Sequence, residues 1–136
     1  MDADEARRRF ADARVARLAT VGADGRPHLV PIAFACTGDV VWTAVDDKPK
    51  RTRALRRLAN VRANPRVALL ADRYDDDWST LWWVRADGAA RIVEAAAAPA
   101  ALEALAARYV QYAAAPPPGP LLEITVERWS GWSALR

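Results

Sequence analysis

The sequence predicts an α+β, mainly β domain in which six antiparallel strands close into a small barrel with helices on its outside. Three observations predict it. Short β-branched and aromatic runs are separated by the turn signals "ADG" at 23–25 and "TGD" at 37–39, and strands joined by tight turns pair antiparallel. The segments with helical period are short and lie between strands, in the order α-βββ-α-ββ-α-β. No glycine-rich turn links a strand to a helix, which disfavours a doubly wound nucleotide fold.

Each element has its own reason. "DADEARRRFADA" consists of helix formers with acids near its start, favourable to the helix dipole, and predicts a helix over roughly 2–13. "RVARLATVGADGRPHLVPIAFACTGDVVWTAV" predicts three strands. Pro27 and Pro31 cannot donate to a ladder, so their strand belongs at an edge or carries a bulge. From Thr52 to Ala63, Leu55, Leu58 and Ala59 form a one-sided apolar stripe, and Asn64-Pro65 ends that helix. "RVALLAD" at 66–72 is a buried strand and "RYDDDWST" an acidic loop. "LWWVRADGAARIV" at 81–93 is a long strand with a bulge at Asp87-Gly88. A further helix over "APAALEALAARYVQY", a stiff "AAAPPPGP" loop and a last strand, "LLEITVERWSGW", complete the chain. In that last strand Leu122, Ile124 and Val126 alternate with Glu123, Thr125 and Glu127.

Composition narrows the function. With 136 residues, 52% of them apolar, the chain is one domain, residues 1–136, able to bury a core without disulfides or metal. Cys36 is its only cysteine, which fits a reducing, cytoplasmic compartment. The start "MDADEARRRF" has no apolar segment behind it and does not read as a signal peptide, and no apolar run approaches the roughly 18 residues that span a bilayer, so no membrane partner is expected. A net charge of +3 argues against a dedicated nucleic-acid binder.

The charge is unevenly placed. "DDKPKRTRALRRLANVRANP", Asp46 to Pro65, carries seven Lys and Arg and no acid from Lys48 onward. Lys48, Lys50, Arg51 and Thr52 sit between a strand and the first turn of a helix, where free N–H groups and the dipole favour a phosphate. The competing reading is a solvated basic helix face. Arg17, in "ARLAT", is a charge within an apolar strand: if buried it needs an anion or carbonyls, and if at the strand end it reaches solvent. His28, the only histidine, has no Cys or His at ligand spacing, and the "DDD" at 75–77 reads as solvated or paired with arginines, so no metal is expected. No serine has an elbow-type glycine setting for a nucleophile. Six tryptophans, at 42, 78, 82, 83, 129 and 132, are many for this length. Adjacent Trp82 and Trp83 must point to opposite faces, one into the core and one towards a groove, an interface or a flat ligand.

The segments "VARLATVGADGRPHLVPIAF", "DDKPKRTRALRRLANVRANPRVALLADRYDDDWSTLWWVRADGAARIV" and "ERWSGWSAL" together resemble the pyridoxamine 5′-phosphate oxidase-like split β-barrel family. More narrowly, they look like its branch dependent on the deazaflavin coenzyme F420. The resemblance implies a homodimer with two cofactor sites at the subunit interface and a hydride transferred between the deazaflavin and a small organic acceptor. It assigns Arg17, Lys48, Lys50, Arg51 and Thr52 to the cofactor phosphate and Thr43, Ala44 and Val45 to the ring edge. Trp78, Trp129 and Trp132 fall where a partner subunit closes over the ring. FMN in an oxidase or reductase of the same fold, and a non-catalytic flavin or deazaflavin carrier, are the alternatives. The vitamin-B6-specific residues of the true oxidase are not recognisable. A deazaflavin carries a phosphodiester followed by an oligoglutamate chain, and a basic turn continued by Arg53, Arg56 and Arg57 suits such a string of anions.

Overall fold

The computed structural model describes residues 1–45 and 51–135, with the backbone alone for 51–55. The elements run α1 (Ala3–Asp12), β1 (Ala16–Val21), β2 (Pro27–Ile32), β3 (Ala35–Thr37), β4 (Val40–Ala44), α2 (Arg51–Ala63), β5 (Arg66–Arg73), β6 (Trp82–Val93), α3 (Pro99–Arg108), α4 (Val110–Ala114) and β7 (Leu121–Ser133). One antiparallel sheet has the order β2-β1-β5-β6-β7-β4-β3. Its concave face carries the main core, into which α1 sends Ala6 and Phe10 and α2 sends Leu58 and Val61. A smaller core on the convex face packs Ala101 and Leu105 of α3 against Ala35, Ala44 and Leu121.

Local chemistry explains most boundaries. The Asp2 carboxylate accepts the Glu5 N–H at 2.8 Å and caps α1. The two turn signals form as expected, with Gly25 at φ +79° and Gly38 at φ +59°, where only glycine is unstrained. Asn64 ends α2 by accepting the Arg66 N–H at 3.0 Å through its side chain. β2, with its two prolines, is an edge strand.

Two expectations need correction. Seven strands form, not six, because the predicted second strand breaks at Ala33-Phe34 into β2 and β3. There the backbone bonds to side chains instead of a strand. Thr43 Oγ1 donates to the Ala33 carbonyl at 2.7 Å, and the Tyr109 hydroxyl both accepts from Phe34 N–H and donates to its carbonyl, each at 3.0 Å. Since β2 and β3 are opposite edges of the sheet, this two-residue link holds the edges together and curls the sheet into a split barrel. The second correction is the single helix expected over 98–112. Tyr109 leaves helical geometry (φ −125°, ψ 122°) and divides it into α3 and α4, which frees the ring to reach Phe34. Beside it, the Arg108 guanidinium lies over the Phe34 ring and donates to the Ala11 and Ala13 carbonyls at the end of α1.

The bulge falls where expected, but its extra residue is on β7. Asp87 pairs with Arg128 and Gly88 with Val126, leaving Glu127 unopposed. A one-residue slip exchanges the faces of everything beyond it. Before the bulge the even residues Leu122, Ile124 and Val126 face the main core; after it Trp129 faces inward and Trp132 outward. Among the described residues no helix is long and apolar enough to cross a membrane.

Candidate cofactor site

β4 leads straight into the basic segment, and α2 follows it. Lys48 and Lys50 lie outside the described residues, as do the side chains of Arg51 and Thr52, but the described backbone starts α2 at Arg51, with no acidic residue in its first turn. That helix end therefore carries its own partial positive charge and no compensating carboxylate of its own. Two turns on, Arg57 is half-buried, and its Nε, shut off from solvent, has no hydrogen-bond partner among the described residues. Burial pushes the guanidinium pKa below its ordinary value, as expected of a cation short of a counter-charge. On the same helix, the buried Asn60 donates to Thr20 Oγ1 at 3.0 Å and ties α2 to β1. An orphaned buried donor on a helix whose start is basic fits an anionic group, the part of a phosphorylated cofactor that needs charge-assisted bonds.

The strand residues assigned to the ring edge are buried: Thr43 at 1%, Ala44 at 7% and Val45 at 3% exposure. Thr43 is committed to Ala33, Ala44 faces the α3 core, and the Val45 N–H donates to Pro120 O at 3.1 Å. Arg17 is exposed and donates to Asp72 at 3.2 Å, so its counter-ion comes from β5. It lies on the convex face of β1, opposite the face that meets α2 through Thr20.

The tryptophans separate into two sets. Trp82 packs inward beneath the Arg9 guanidinium, while Trp83 faces out. Trp83 pairs directly across from Trp132 at one end of the β6–β7 ribbon, and both are exposed; Trp78 is exposed too, in the turn that precedes β6. The resemblance does not assign Trp83 to the ring; its adjacency to Trp82 is the signal that one of the two indoles faces outward. Trp129 behaves differently. It sits edge-on to Phe10 at 5.4 Å, and its Nε1 donates to Asp39 at 2.8 Å. The acidic run is also structurally engaged: Asp75 accepts from Arg73, the Asp77 N–H and Thr80, and Asp77 caps the turn at Trp78–Thr80.

Asp39 gives a pH prediction. The Trp129 indole, then Arg7 at 3.1 Å, hold its carboxyl below the usual range. A depressed folded pKa contributes stability above the unfolded value, about 4, and that contribution is lost as pH falls through the folded value. Asp39→Asn should therefore lower the urea midpoint near neutral pH, and its gap from wild type should close below about pH 4. A gap independent of pH would remove Asp39 as its source. Its neighbour Cys36 has a thiol pushed up to about 11 by burial first and by Asp39 second, so it should alkylate slowly.

A family model described as pyridoxamine 5′-phosphate oxidase matches residues 3–133. Among solved structures, the chain is similar to a conserved hypothetical protein of Mycobacterium tuberculosis, with 25% identity and a TM-score of 0.78 over 98% of this chain and 86% of that one. It is also similar to a FAD-binding protein of Mesorhizobium loti, at 23% identity and TM-score 0.71 over 96% and 94% of the two chains. A FAD-binding protein of Mycobacterium smegmatis matches at 23% identity and TM-score 0.67, over 97% and 94%. No curated protein matches. The family match spans almost the whole chain and accords with the curled antiparallel sheet: the protein belongs to the pyridoxamine 5′-phosphate oxidase family.

Proposed function

We propose that the protein is a homodimeric oxidoreductase that uses the deazaflavin coenzyme F420 to exchange a hydride with a small organic acceptor. The observation that carries this reading is the basic start of α2, free of acid in its first turn and continued by Arg56 and by Arg57, whose buried Nε has no partner among the described residues. In this reading Lys48, Lys50, Arg51 and Thr52 hold the phosphodiester, and the later arginines meet the carboxylates that follow it. When bound, the deazaflavin supplies the hydride chemistry. The protein's share is to fix the ring and to keep water from it.

The convex face supports the dimer. Leu29 is 67% exposed there, on the same face as Leu70, Trp83 and Trp132 with the Arg17–Asp72 ion pair among them, a mix of apolar, aromatic and charged groups of the kind found at interfaces. In this reading two copies join through that face, and Trp83 joins Trp78 and Trp132 as a candidate ring contact. A flavin reading is favoured by a separate observation, the similarity to two FAD-binding proteins; FMN or FAD would use the same basic corner for its phosphate.

Titration of the purified protein with the deazaflavin, FMN and FAD, followed by tryptophan fluorescence, tests these readings. The deazaflavin should bind tightest, and Lys50→Glu with Arg51→Glu should weaken it by about ten- to a hundredfold, the worth of one charge-assisted bond or more. Tighter binding of FMN or FAD would transfer the site to a flavin. Saturating additions that leave the fluorescence unquenched for all three would overturn the cofactor reading altogether.

A further inference from the structure

A second cavity, unrelated to the basic corner, opens on the convex face between the sheet and the start of α3. It measures about 420 Å³. Its sheet wall is one cross-strand row, Trp42 of β4, Glu123 of β7 and Arg91 of β6. Its other wall is Val93, Glu94 and the small residues of 97–101, four of them alanine. Arg91 lies on the same face of β6 as Trp83 but eight residues further on, roughly 26 Å along the strand at about 3.3 Å per residue.

The polar groups of this cavity are arranged in a specific way. Arg91 donates its Nε to Glu123 Oε1 at 2.8 Å, which fixes the guanidinium plane. Its two terminal nitrogens have no protein partner among the described residues, and they form the edge that grips carboxylates in a bidentate manner. Glu123 is fully engaged: Arg91 first, with a hydrogen bond from Trp42 as well, holds its carboxyl below the usual range. Glu94 is exposed and makes no cap bond to the turn that follows it. Among the described residues, one cationic edge and one carboxylate without a hydrogen-bond partner thus flank a floor of indole and alanine.

We propose that this cavity is a binding site for a small zwitterion with an apolar body, of the class of a free apolar or aromatic α-amino acid. The ligand carboxylate meets the free edge of Arg91, its ammonium meets Glu94, and its side chain lies on Trp42 and the alanines. A simple anion would face Glu94 unpaired, and a simple cation would face Arg91. Both groups are exposed and hydrated, and a ligand bearing both charges pairs with the two at once, which neither half of it can do. The volume lies in the range of small-molecule pockets, and the inference does not depend on which cofactor occupies the basic corner.

Calorimetric titration of the full chain with L-phenylalanine, 3-phenylpropionate and 2-phenylethylamine tests it, with the Trp42 indole N–H resonance as a local reporter, assigned by its absence in Trp42→Phe. Phenylalanine should bind and shift that resonance. Each half-ligand should bind at least about tenfold more weakly, as should phenylalanine to Arg91→Gln or to Glu94→Gln. Ala100 is exposed at the rim, so Ala100→Phe should block the cavity without disturbing the core and abolish binding. Equal binding of either half-ligand, unchanged binding to Ala100→Phe, or no shift of the Trp42 resonance would overturn the proposal.

Discussion

Gly88→Val should destabilise the protein by at least about 3 kcal/mol, a large part of the roughly 5–15 kcal/mol that holds a domain of this size folded. A Cβ on Gly88 would lie 2.2 Å from the Thr125 carbonyl oxygen and 3.0 Å from the Val126 Cα. Both are backbone atoms, and no rotamer change can relieve such a contact. β7 would have to move away from β6 at the point where the register slips past Glu127. Every residue of β7 beyond that point takes its face from the slip, so the strain acts directly on Trp129, Ser130 and Trp132. The thermal midpoint should fall by on the order of 10 °C. Ala89→Val, one residue on and directed to the convex face, should cost far less. A Gly88→Val protein that melts within a degree or two of wild type would show that the ribbon does not need this close approach.

The same bulge explains which part of the site could be read from residue order. That one of Trp82 and Trp83 faces outward is legible, because two adjacent tryptophans on a strand must part; which of them does so is set by the pairing of β6 with its neighbours. The faces of Trp129 and Trp132 were not legible, because an unpaired Glu127 reverses the alternation, and what marks Glu127 as unpaired is a register set across two strands. The run of Lys and Arg from Lys48 onward is legible because it is contiguous in the chain, but Lys48 and Lys50 lie outside the described residues. Arg17 was ambiguous until its partner was known, and Asp72 lies 55 residues away. The fold divides on the same principle. The hairpin turns at Gly25 and Gly38 are local and formed as expected. The break at Ala33-Phe34 and the interruption of the helix at Tyr109 are one event seen from two places. A hydroxyl 75 residues distant takes over the hydrogen bonds that a strand partner would otherwise make. No window of sequence contains both halves of that bond.

Phe10→Ala should cost about 3–5 kcal/mol, the range for truncating a fully buried aromatic residue. Phe10 has no exposed surface and lies where α1 meets the concave face, its ring 4.9 Å from Phe34 and 5.4 Å from Trp129. Those neighbours come from the link that joins the two sheet edges and from the part of β7 beyond the bulge. Truncating Phe10 therefore removes more than the contacts of one helix. It also loosens the wall that presses Trp129 towards Asp39, so tryptophan emission should shift to the red along with the loss of stability. Arg8→Ala, on the exposed side of the same helix, separates helix propensity from packing and should change the urea midpoint little. Phe10→Leu should fall between the two, since it keeps most of the buried apolar surface but loses the edge-on ring contact with Trp129, worth about 0.5–1.5 kcal/mol. If Phe10→Ala and Arg8→Ala unfold at the same urea concentration, α1 is not anchored through this ring, and the inward setting of Trp129 must depend on the bulge and Asp39 alone.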